Sequence, residues 1–222
     1  MIRMVVFDMA GTTVDENNVV YKTLQKVINE AGFNFSLDQV LSEGAGKEKL
    51  QAIKDIIISE KFVPDDSTAN KIYNSFVDEL ATAYNSFKLK PQPGAEELFA
   101  ALRNKNILVV LNTGYNKATA ISILQQLGWK VGKQIDGLIT ASDVTDNRPN
   151  PAMILLAMEK FNIKTAGEVA KVGDSIIDIE EGKNAGCGLS IGITTGAHTY
   201  QQLTSSNPDN IIHHLSQLLL LV

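Results

Sequence analysis

The sequence lacks several features that mark common classes of protein. It has one cysteine, Cys187, so no disulfide bond can form within the chain. Its apolar runs, such as LLLLV at the C-terminus, fall far short of the roughly 20 residues that a membrane-spanning helix needs. It has no block of lysine and arginine, and its formal net charge of -5 disfavours binding to nucleic acid. The chain begins in a strand-like segment without a targeting signal, so we expect a cytoplasmic protein with neither a nucleic-acid nor a membrane partner.

Strand-like and helical segments alternate along much of the chain. The 222 residues are 44% hydrophobic and 20% charged, which is enough for a full core. This alternation predicts an α/β protein with a parallel, doubly wound, Rossmann-like sheet. The predicted strands are IRMVVF, ILVVLN, GLIT, VAKVGD and GLSIGIT, and the predicted helices between them are PGAEELFAALRNK, NKATAISILQQLG and NPAMILLAMEKFN.

One long segment, residues 16–88, breaks the alternation. It contains no convincing strand, but it has several segments with the periodicity of amphipathic helices. These segments are NNVVYKTLQKVINEAG, SLDQVLSEGAG, KEKLQAIKDIIISEK and STANKIYNSFVDELATAYNSF. We therefore predict a catalytic core of residues 1–15 and 89–222 and an inserted, all-helical cap domain of residues 16–88. The hinges would lie near Asp15 and in KLKPQPG.

Polar residues follow the predicted strands. In an open parallel sheet ligands bind beyond the carboxyl ends of the strands, and there the sequence places Asp8, Thr113, Asp174 and Asp178, with Arg148 in the loop DNRPNP. Singly, each has an ordinary role as a turn residue, a helix cap or a loop hydroxyl. Together, carboxylates with a cation and a hydroxyl fit both a hard metal ion such as Mg²⁺ and a phosphoryl group. The glycine-containing turn MAGTT could add backbone N–H donors.

This ordered set of motifs resembles the haloacid dehalogenase-like hydrolase superfamily. The resemblance covers the core from the first strand to GDSIIDIE, with residues 16–88 as the cap. It implies that Asp8 takes the phosphoryl group as an aspartyl-phosphate, that Thr113 binds the phosphoryl oxygens, and that Arg148 stabilises their charge. It also implies a magnesium site formed by Asp8, Asp174, Asp178 and the backbone carbonyl of Ala10.

The sequence departs from ordinary phosphatases of this superfamily at Ala10. Those enzymes have a second aspartate two residues after the nucleophile, and it protonates the leaving-group oxygen. General acid catalysis of this kind typically contributes about 10²–10⁴-fold. A substrate of this protein should therefore not need that acid, or the protein is a poor phosphatase.

A branch of the superfamily accounts for this alanine. DMAGTTVDE resembles the DxAGTTVD motif of phosphonoacetaldehyde hydrolases, or phosphonatases, and NTGYNK resembles their TTGY segment. These enzymes cleave a carbon–phosphorus bond after a cap lysine has formed a Schiff base with the aldehyde, so the leaving group is an enamine. The substrate-binding residues implied by the resemblance are Ala10, Gly11, Thr12, Gly46, Gly114 and Tyr115.

Two lysines compete for the Schiff-base position. The family motif has Gly, two residues, Lys, an aliphatic residue and then an apolar residue two positions further on. In EGAGKEKLQAI this pattern favours Lys49, three residues after Gly46, and Lys47 belongs to a second register. The family histidine three residues after the lysine is replaced here by Ala52, and the methionine before the glycine by Ala45.

The sequence is also compatible with other functions. A phosphatase of small phosphate esters, such as phosphoglycolate or a sugar phosphate, is the main alternative. A dehalogenase and a noncatalytic sensor of a phosphorylated metabolite are disfavoured because the chain has both a nucleophile and a full set of magnesium ligands. By analogy with related phosphonatases, a homodimer could form through the cap, with an apolar face of VVYKTLQKVI. We expect His198 to be a loop residue and His213 and His214 to lie at the surface.

Overall fold

The computed structural model describes residues 1–60, 62 and 65–222. Short 3₁₀ helices occupy Ala141–Asp143, Ala166–Glu168 and Leu215–Leu220. In chain order the other elements are β1 (Met4–Phe7), β2 (Val14–Asp15), α1 (Val19–Glu30), α2 (Leu37–Gly44), α3 (Lys49–Ser59), α4 (Asp66–Ser86), β3 (Lys90–Pro91), α5 (Ala95–Asn104), β4 (Leu108–Thr113), α6 (Lys117–Leu127), β5 (Gly137–Thr140), α7 (Ala152–Lys160), β6 (Val169–Gly173), α8 (Ile176–Asn184), β7 (Leu189–Ile193), α9 (Tyr200–Ser205) and β8 (Asn210–Ile212).

Six strands of the described part of the chain form one parallel sheet in the order β5-β4-β1-β6-β7-β8. This confirms the predicted α/β architecture and the five predicted strands. The prediction missed β8, which has three residues and is too short to show a periodicity. Phe7 pairs in register with Leu111 of β4 and Val172 of β6. The carboxyl ends of these three strands therefore lie side by side at one edge of the sheet.

The central strand β1 is buried on both faces. Val5 and Phe7 belong to the larger hydrophobic core, and Met4 and Val6 belong to a second core that includes apolar residues of α7. Successive side chains of a strand point to opposite faces, so four consecutive apolar residues are expected when helices cover both faces. This packing fixes the position of the residues that follow β1.

The helices α1 to α4 form an insertion between β2 and β3. These two short strands pair antiparallel, with Val14 opposite Pro91 and Asp15 opposite Lys90, so the predicted hinge segments lie side by side. The described residues between them contain no strand, in line with the sequence pattern. The predicted helix 47–61 begins at Lys49 because the Glu48 side chain accepts hydrogen bonds from the backbone of Leu50 and Gln51. Lys61 lies outside the described residues.

The apolar face of α1 is covered within the chain. Val20, Leu24, Val27 and Ile28 are at most 3% exposed and belong to the core that the insertion shares with one face of the sheet. The predicted pairing of two copies would have to use other surfaces, and the homodimer stays a prediction.

Residues outside the predicted site have structural environments. Trp129 is buried against Phe99, with ring centroids 5.2 Å apart, and its indole N–H donates to Glu96. His213 and His214 are exposed, as expected. Among the described helices, none combines the length and the apolar character that crossing a membrane requires.

Candidate active site

Three aspartates meet at the carboxyl edge of the sheet. Asp8 directly follows β1, Asp174 directly follows β6, and Asp178 lies in the first turn of α8. All three are buried, and each offers a carboxylate oxygen within 4.8 Å of the others. The structure thus brings together the carboxylates that the strand-end argument selected.

Asp174 is held in a shell of small residues. It accepts hydrogen bonds from the Thr12 hydroxyl at 3.1 Å and from the backbone N–H of Ala197 at 2.6 Å. Gly11, with a φ of +82°, and Gly196 lie so close that a Cβ atom on either would collide with the Asp174 carboxylate. Gly11 and Thr12, which were predicted to bind substrate, therefore both lie against the predicted metal ligand Asp174.

Arg148 joins the aspartates from the opposite side. Its Nη1 atom is 2.7 Å from Asp8 Oδ1 and 3.0 Å from Asp178 Oδ1. Its Nε atom is 3.0 Å from Glu181, and its Nη2 atom donates to the backbone and side-chain oxygens of Asn112. The guanidinium is completely buried, so these contacts fix it in one orientation.

Sequence reasoning missed Lys171, which lies in the middle of β6. Its amine is 2.9 Å from Asp178, 3.1 Å from Glu181 and 2.6 Å from the Asn112 side-chain oxygen. The residue is 0% exposed. The available signal was a cation inside the otherwise apolar strand VAKVG, since a buried lysine needs charged partners.

The donor set fits a divalent cation. The cluster contains four carboxylates, those of Asp8, Asp174, Asp178 and Glu181, and two cations, Arg148 and Lys171. Their formal charges leave an excess of two negative charges if all six groups are ionised. Burial, followed by the charges of Asp8 and Asp178, raises the pKa of Asp174 well above its ordinary value. Hard oxygen ligands in a negatively charged pocket are what Mg²⁺ and similar ions require. A bound divalent ion would offset the excess charge.

The insertion packs directly on this edge of the sheet. A Cβ atom on Gly46 would collide with Ser175, and a Cβ atom on Gly114 would lie 2.6 Å from the Lys47 carbonyl oxygen. Thr113 is 2% exposed, and its hydroxyl accepts a hydrogen bond from the Tyr115 N–H at 3.2 Å. Both glycines that were predicted to bind substrate therefore also allow the insertion to approach the core closely.

Lys49 points into the buried site, and Lys47 does not. The Lys49 side chain donates to the Lys47 carbonyl at 2.8 Å, and its amine lies 5.4 and 5.5 Å from the ring centroids of Tyr21 and Tyr115. Burial lowers the pKa of Lys49, while the nearby negative charge of Asp8 opposes that shift. The Lys47 amine instead pairs with Asp55 at 2.6 Å in a partly exposed ion pair. The geometry favours the preferred register of the lysine motif.

A second feature that sequence reasoning missed lies beside Lys49. Glu16 is 2% exposed and accepts hydrogen bonds from the backbone N–H of Val20 at 2.8 Å and from the Tyr84 hydroxyl at 3.1 Å. The Tyr84 hydroxyl is also 2.7 Å from that of Tyr115. Burial raises the pKa of the Glu16 carboxyl to about 7. Glu16 directly follows β2, and nothing in the surrounding sequence indicates that this acid is buried.

His198 connects the core to the insertion. It lies in the loop after β7, as predicted, but it is only 4% exposed. Its Nδ1 atom accepts a hydrogen bond from the backbone N–H of Ile176 at 3.0 Å, and its Nε2 atom lies 3.3 Å from the Leu41 carbonyl in α2. The contact with Leu41 therefore joins the core to the insertion.

The site is closed in this structure. Asp8, Lys49, Thr113 and Arg148 are each at most 6% exposed. A cleft of about 720 Å³ lies far from them, between α5 and the segment before β5, and no predicted site residue lines it. A second cleft, of about 560 Å³, runs between Glu48 and the loop 145–150 and reaches Arg148. The insertion and the core therefore cover most of the predicted site in this structure.

Comparisons with known proteins identify the family of the chain. The model of the haloacid dehalogenase-like hydrolase family matches residues 5–191, and the chain belongs to this family. A phosphonoacetaldehyde hydrolase of Parabacteroides distasonis is 32% identical over 209 residues, which cover 87% of this chain and 76% of that protein. The protein is thus a hydrolase of this family with phosphonoacetaldehyde hydrolases among its relatives.

Solved structures share the fold. A phosphonoacetaldehyde hydrolase like protein from Oleispira antarctica has a TM-score of 0.82 at 20% identity and covers 99% of this chain and 91% of its own. A predicted phosphoglycolate phosphatase from Haemophilus somnus has a TM-score of 0.77 at 18% identity and covers 99% of this chain and 97% of its own. At these identities the likeness concerns the architecture alone.

Proposed function

We propose that this protein is a Mg²⁺-dependent hydrolase that cleaves the carbon–phosphorus bond of phosphonoacetaldehyde or a related 2-oxoalkylphosphonate. In this proposal Asp8 forms an aspartyl-phosphate and Lys49 forms a Schiff base. The observation that carries the proposal is the position of the Lys49 amine, which is buried beside two tyrosine rings and close enough to Asp8 for that charge to act on it. A lysine without a function would be expected at the surface, because burying its charged amine costs free energy.

The environment of Lys49 suits a nucleophile. Among the described residues its amine forms no ion pair, and its hydrogen bond goes to a neutral carbonyl group. Burial lowers its pKa, which increases the fraction present as neutral amine near pH 7. A neutral amine adds to a carbonyl carbon, and loss of water from the adduct gives the Schiff base.

The Schiff base explains why Ala10 can replace the usual acid. Asp8 attacks phosphorus, the carbon–phosphorus bond breaks, and its electron pair forms the carbon–carbon double bond of an enamine while the iminium nitrogen becomes neutral. No alkoxide forms, so no acid is needed next to Asp8. Arg148, 2.7 Å from Asp8, stabilises the negative charge of the nucleophile and of the transferred group. Water then hydrolyses the aspartyl-phosphate and, after the enamine carbon has taken up a proton, the imine.

The remaining site residues orient the phosphoryl group. Thr113 and the N–H groups of the turn at Gly11 and Thr12 would donate to its oxygens. A magnesium ion, when bound, would supply positive charge that balances the carboxylates and the incoming phosphonate. Its ligands would be Asp8, Asp174, Asp178 and the backbone carbonyl of Ala10.

A phosphatase of small phosphate esters is the second candidate. The phosphoryl half of the site, formed by Asp8, Thr113 and Arg148, does not depend on Lys49. The solved structures of similar fold include a protein named as a phosphoglycolate phosphatase. Ala52, which stands where related phosphonatases have a histidine, is 0% exposed and cannot contribute to proton transfer.

The test compares two substrates under identical conditions. Phosphate release from phosphonoacetaldehyde and from phosphoglycolate is measured with Mg²⁺, and parallel samples are treated with borohydride and weighed by mass spectrometry. We expect release from the phosphonate and a reduced adduct on Lys49. Lys49→Arg should abolish both, while the matched control Lys47→Arg, at the surface ion pair, should retain both.

The opposite pattern would point to the ester phosphatase. Phosphate release from phosphoglycolate alone, without an adduct and without an effect of Lys49→Arg, would reject the Schiff-base chemistry.

A further inference from the structure

Glu16 is a buried carboxyl group that the proposed reaction does not use. Glu16 lies just after the hinge strand β2 and is 2% exposed. It is bound to the N-terminal turn of α1 through the N–H of Val20 and to α4 through the Tyr84 hydroxyl. Burying a carboxyl costs free energy unless the group is well paired, and none of its hydrogen-bond partners is a cation.

A chain of hydroxyl groups leads from Glu16 through Tyr84 to Tyr115, a neighbour of the Lys49 amine. Tyr84 donates to Glu16 at 3.1 Å, so the 2.7 Å hydrogen bond between the two phenols is donated by Tyr115. The ring of Tyr115 in turn faces the Lys49 amine, 5.5 Å from its centroid. If Glu16 carries a proton, all three groups can reverse, and Tyr115 can then donate into the site.

The other two carboxylates whose charge raises the pKa of Lys49 already have a different role. Asp8 is paired with Arg148 and is the proposed nucleophile. Glu48 caps α3 by accepting hydrogen bonds from the N–H groups of Leu50 and Gln51. Of the acids that influence Lys49, Glu16 is the one linked by hydrogen bonds to Tyr115, through the Tyr84 hydroxyl.

Schiff-base formation needs a proton donor at this place. When an amine adds to a carbonyl carbon, the product is a carbinolamine, and its hydroxyl group departs as water only after it has received a proton. In a closed site bulk water does not supply that proton. The oxygen is attached to the carbon that Lys49 attacks, so it lies next to the amine and its aromatic neighbours.

We propose that Glu16 supplies this proton through Tyr84 and Tyr115. The inference rests on the proposed Schiff-base function. Tyr115 gives its proton to the carbinolamine hydroxyl and receives one from Tyr84, which receives one from the Glu16 carboxyl. The nitrogen lone pair forms the carbon–nitrogen double bond, the carbon–oxygen bond breaks, and water leaves. Glu16 ends as a carboxylate, and hydrolysis of the imine after carbon–phosphorus cleavage returns its proton.

The pKa shifts of Glu16, Tyr84 and Tyr115 agree with this role. Burial raises the pKa of Tyr84 and of Tyr115 well above their ordinary values, so both phenols stay neutral and pass protons without storing charge. The charged or titratable groups that act on Glu16 are Tyr84 from α4, Lys49 from α3 and Lys22 from α1. Tyr21 from α1 and Tyr115 from the loop after β4 also lie close enough for the Glu16 charge to raise their pKa. With a pKa of about 7, Glu16 is protonated in a useful fraction of molecules at neutral pH.

The experiment measures Schiff-base formation directly. Enzyme in excess is mixed with phosphonoacetaldehyde at a series of pH values, quenched into borohydride at one fixed pH, and weighed. In the wild type the rate should fall as the pH rises through about 7, because Glu16 loses its proton. Glu16→Gln should form the adduct on the order of 10²-fold more slowly and should lose this fall, in line with the usual contribution of general acid catalysis.

A second variant leaves Glu16 in place. Tyr84→Phe interrupts the chain, so it should slow adduct formation and remove the same limb of the pH profile. The matched control is Tyr73→Phe in the same helix. The Tyr73 hydroxyl accepts a hydrogen bond from Asn116 and takes no part in the hydrogen-bonded path from Glu16 to Tyr115. Each variant is also assayed with 4-nitrophenyl phosphate, whose leaving group needs neither Lys49 nor an acid, and this rate should not change.

The outcomes separate the two proposals. Absence of an adduct in the wild type rejects the Schiff-base function and this inference with it. A wild-type adduct together with unchanged rates and pH profile in Glu16→Gln and Tyr84→Phe rejects only the role of Glu16. Equal losses with both substrates would assign Glu16 a structural role and would also overturn the inference.

Discussion

Lys49 and Lys171 are both buried next to the same active site, but their surroundings are opposite. Lys171 contacts the carboxylates of Asp178 and Glu181 at 2.9 and 3.1 Å. Lys49 contacts a carbonyl group and two aromatic rings. The ion pairs of Lys171 stabilise its ammonium form. Burial of Lys49 without an ion pair lowers the pKa of its amine. The core side of the site therefore holds its lysine in ion pairs, and the insertion side holds an amine whose pKa is lowered by burial, as the proposed Schiff-base chemistry requires.

The largest expected effect tests this division of labour. Asp8→Asn should lower phosphate release from phosphonoacetaldehyde and from 4-nitrophenyl phosphate by at least about 10⁴-fold, because both reactions need the nucleophile. Lys49→Arg should abolish only the reaction of the phosphonate. Steady-state phosphate assays on both substrates check this. Equal losses in Lys49→Arg would show that the two sides of the site are not separable.

The next effect concerns the paired lysine. Lys171→Met leaves Asp178 and Glu181 short of a buried partner, so the free energy of unfolding should fall by about 3–5 kcal/mol. Urea unfolding followed by circular dichroism measures the change. The control Lys117→Met removes a lysine that is 62% exposed and pairs with Asp143, and its effect should stay within about 1 kcal/mol. Similar small losses in both variants would mean that the buried cluster is not held by Lys171.

A smaller effect is expected from the pH dependence of stability. The folded protein keeps a proton on Glu16 up to a pH of about 7, whereas the unfolded chain loses it near 4.5. Folding is therefore favoured at low pH by this group, and its contribution, roughly 3 kcal/mol, is lost as the pH rises from 4.5 through 7. Urea unfolding at pH 5 and pH 8 should show a smaller difference for Glu16→Gln than for the wild type. An equal difference would show that Glu16 is ionised throughout.

The smallest effect concerns the contact between the two sides. Gly46 and Gly32 both have a positive φ, +77° and +102°, so an alanine at either costs about 1–2 kcal/mol of backbone strain. Only the Cβ atom at Gly46 would also strike Ser175. We therefore expect both variants to lose stability, Gly46→Ala more than Gly32→Ala because of the added collision, and a fall of about 10-fold or more in kcat/KM only in Gly46→Ala. Equal kcat/KM values would show that the close approach is not needed for catalysis.

Much of the fold could be predicted because it depends on local patterns. The apolar runs that form β1, β4, β5, β6 and β7 are buried on both faces, and the helices of the insertion have clear periodicity. The short pair β2 and β3 and the edge strand β8 have two or three residues each, so no pattern could identify them. Their positions depend on what the rest of the chain places beside them.

The candidate site divides in the same way. Asp8, Thr113 and Asp174 follow directly from the order of parallel strands, because a polar residue after each strand must reach the same edge. Glu16, Tyr84 and Lys171 come from a turn, a helix and the middle of a strand. Their proximity to the site arises only when the insertion folds over the core and α8 packs on β6.

The sequence by itself determined the class of fold, the phosphoryl half of the site and the two lysines that could act. Only the tertiary structure distinguishes their environments: it buries Lys49 beside the rings of Tyr21 and Tyr115 and leaves Lys47 in a partly exposed pair with Asp55. The physical reason is that a motif specifies residue types and spacing, whereas the reactivity of an amine depends on burial and neighbouring charge. Those neighbours are contributed by residues that lie far apart in the chain.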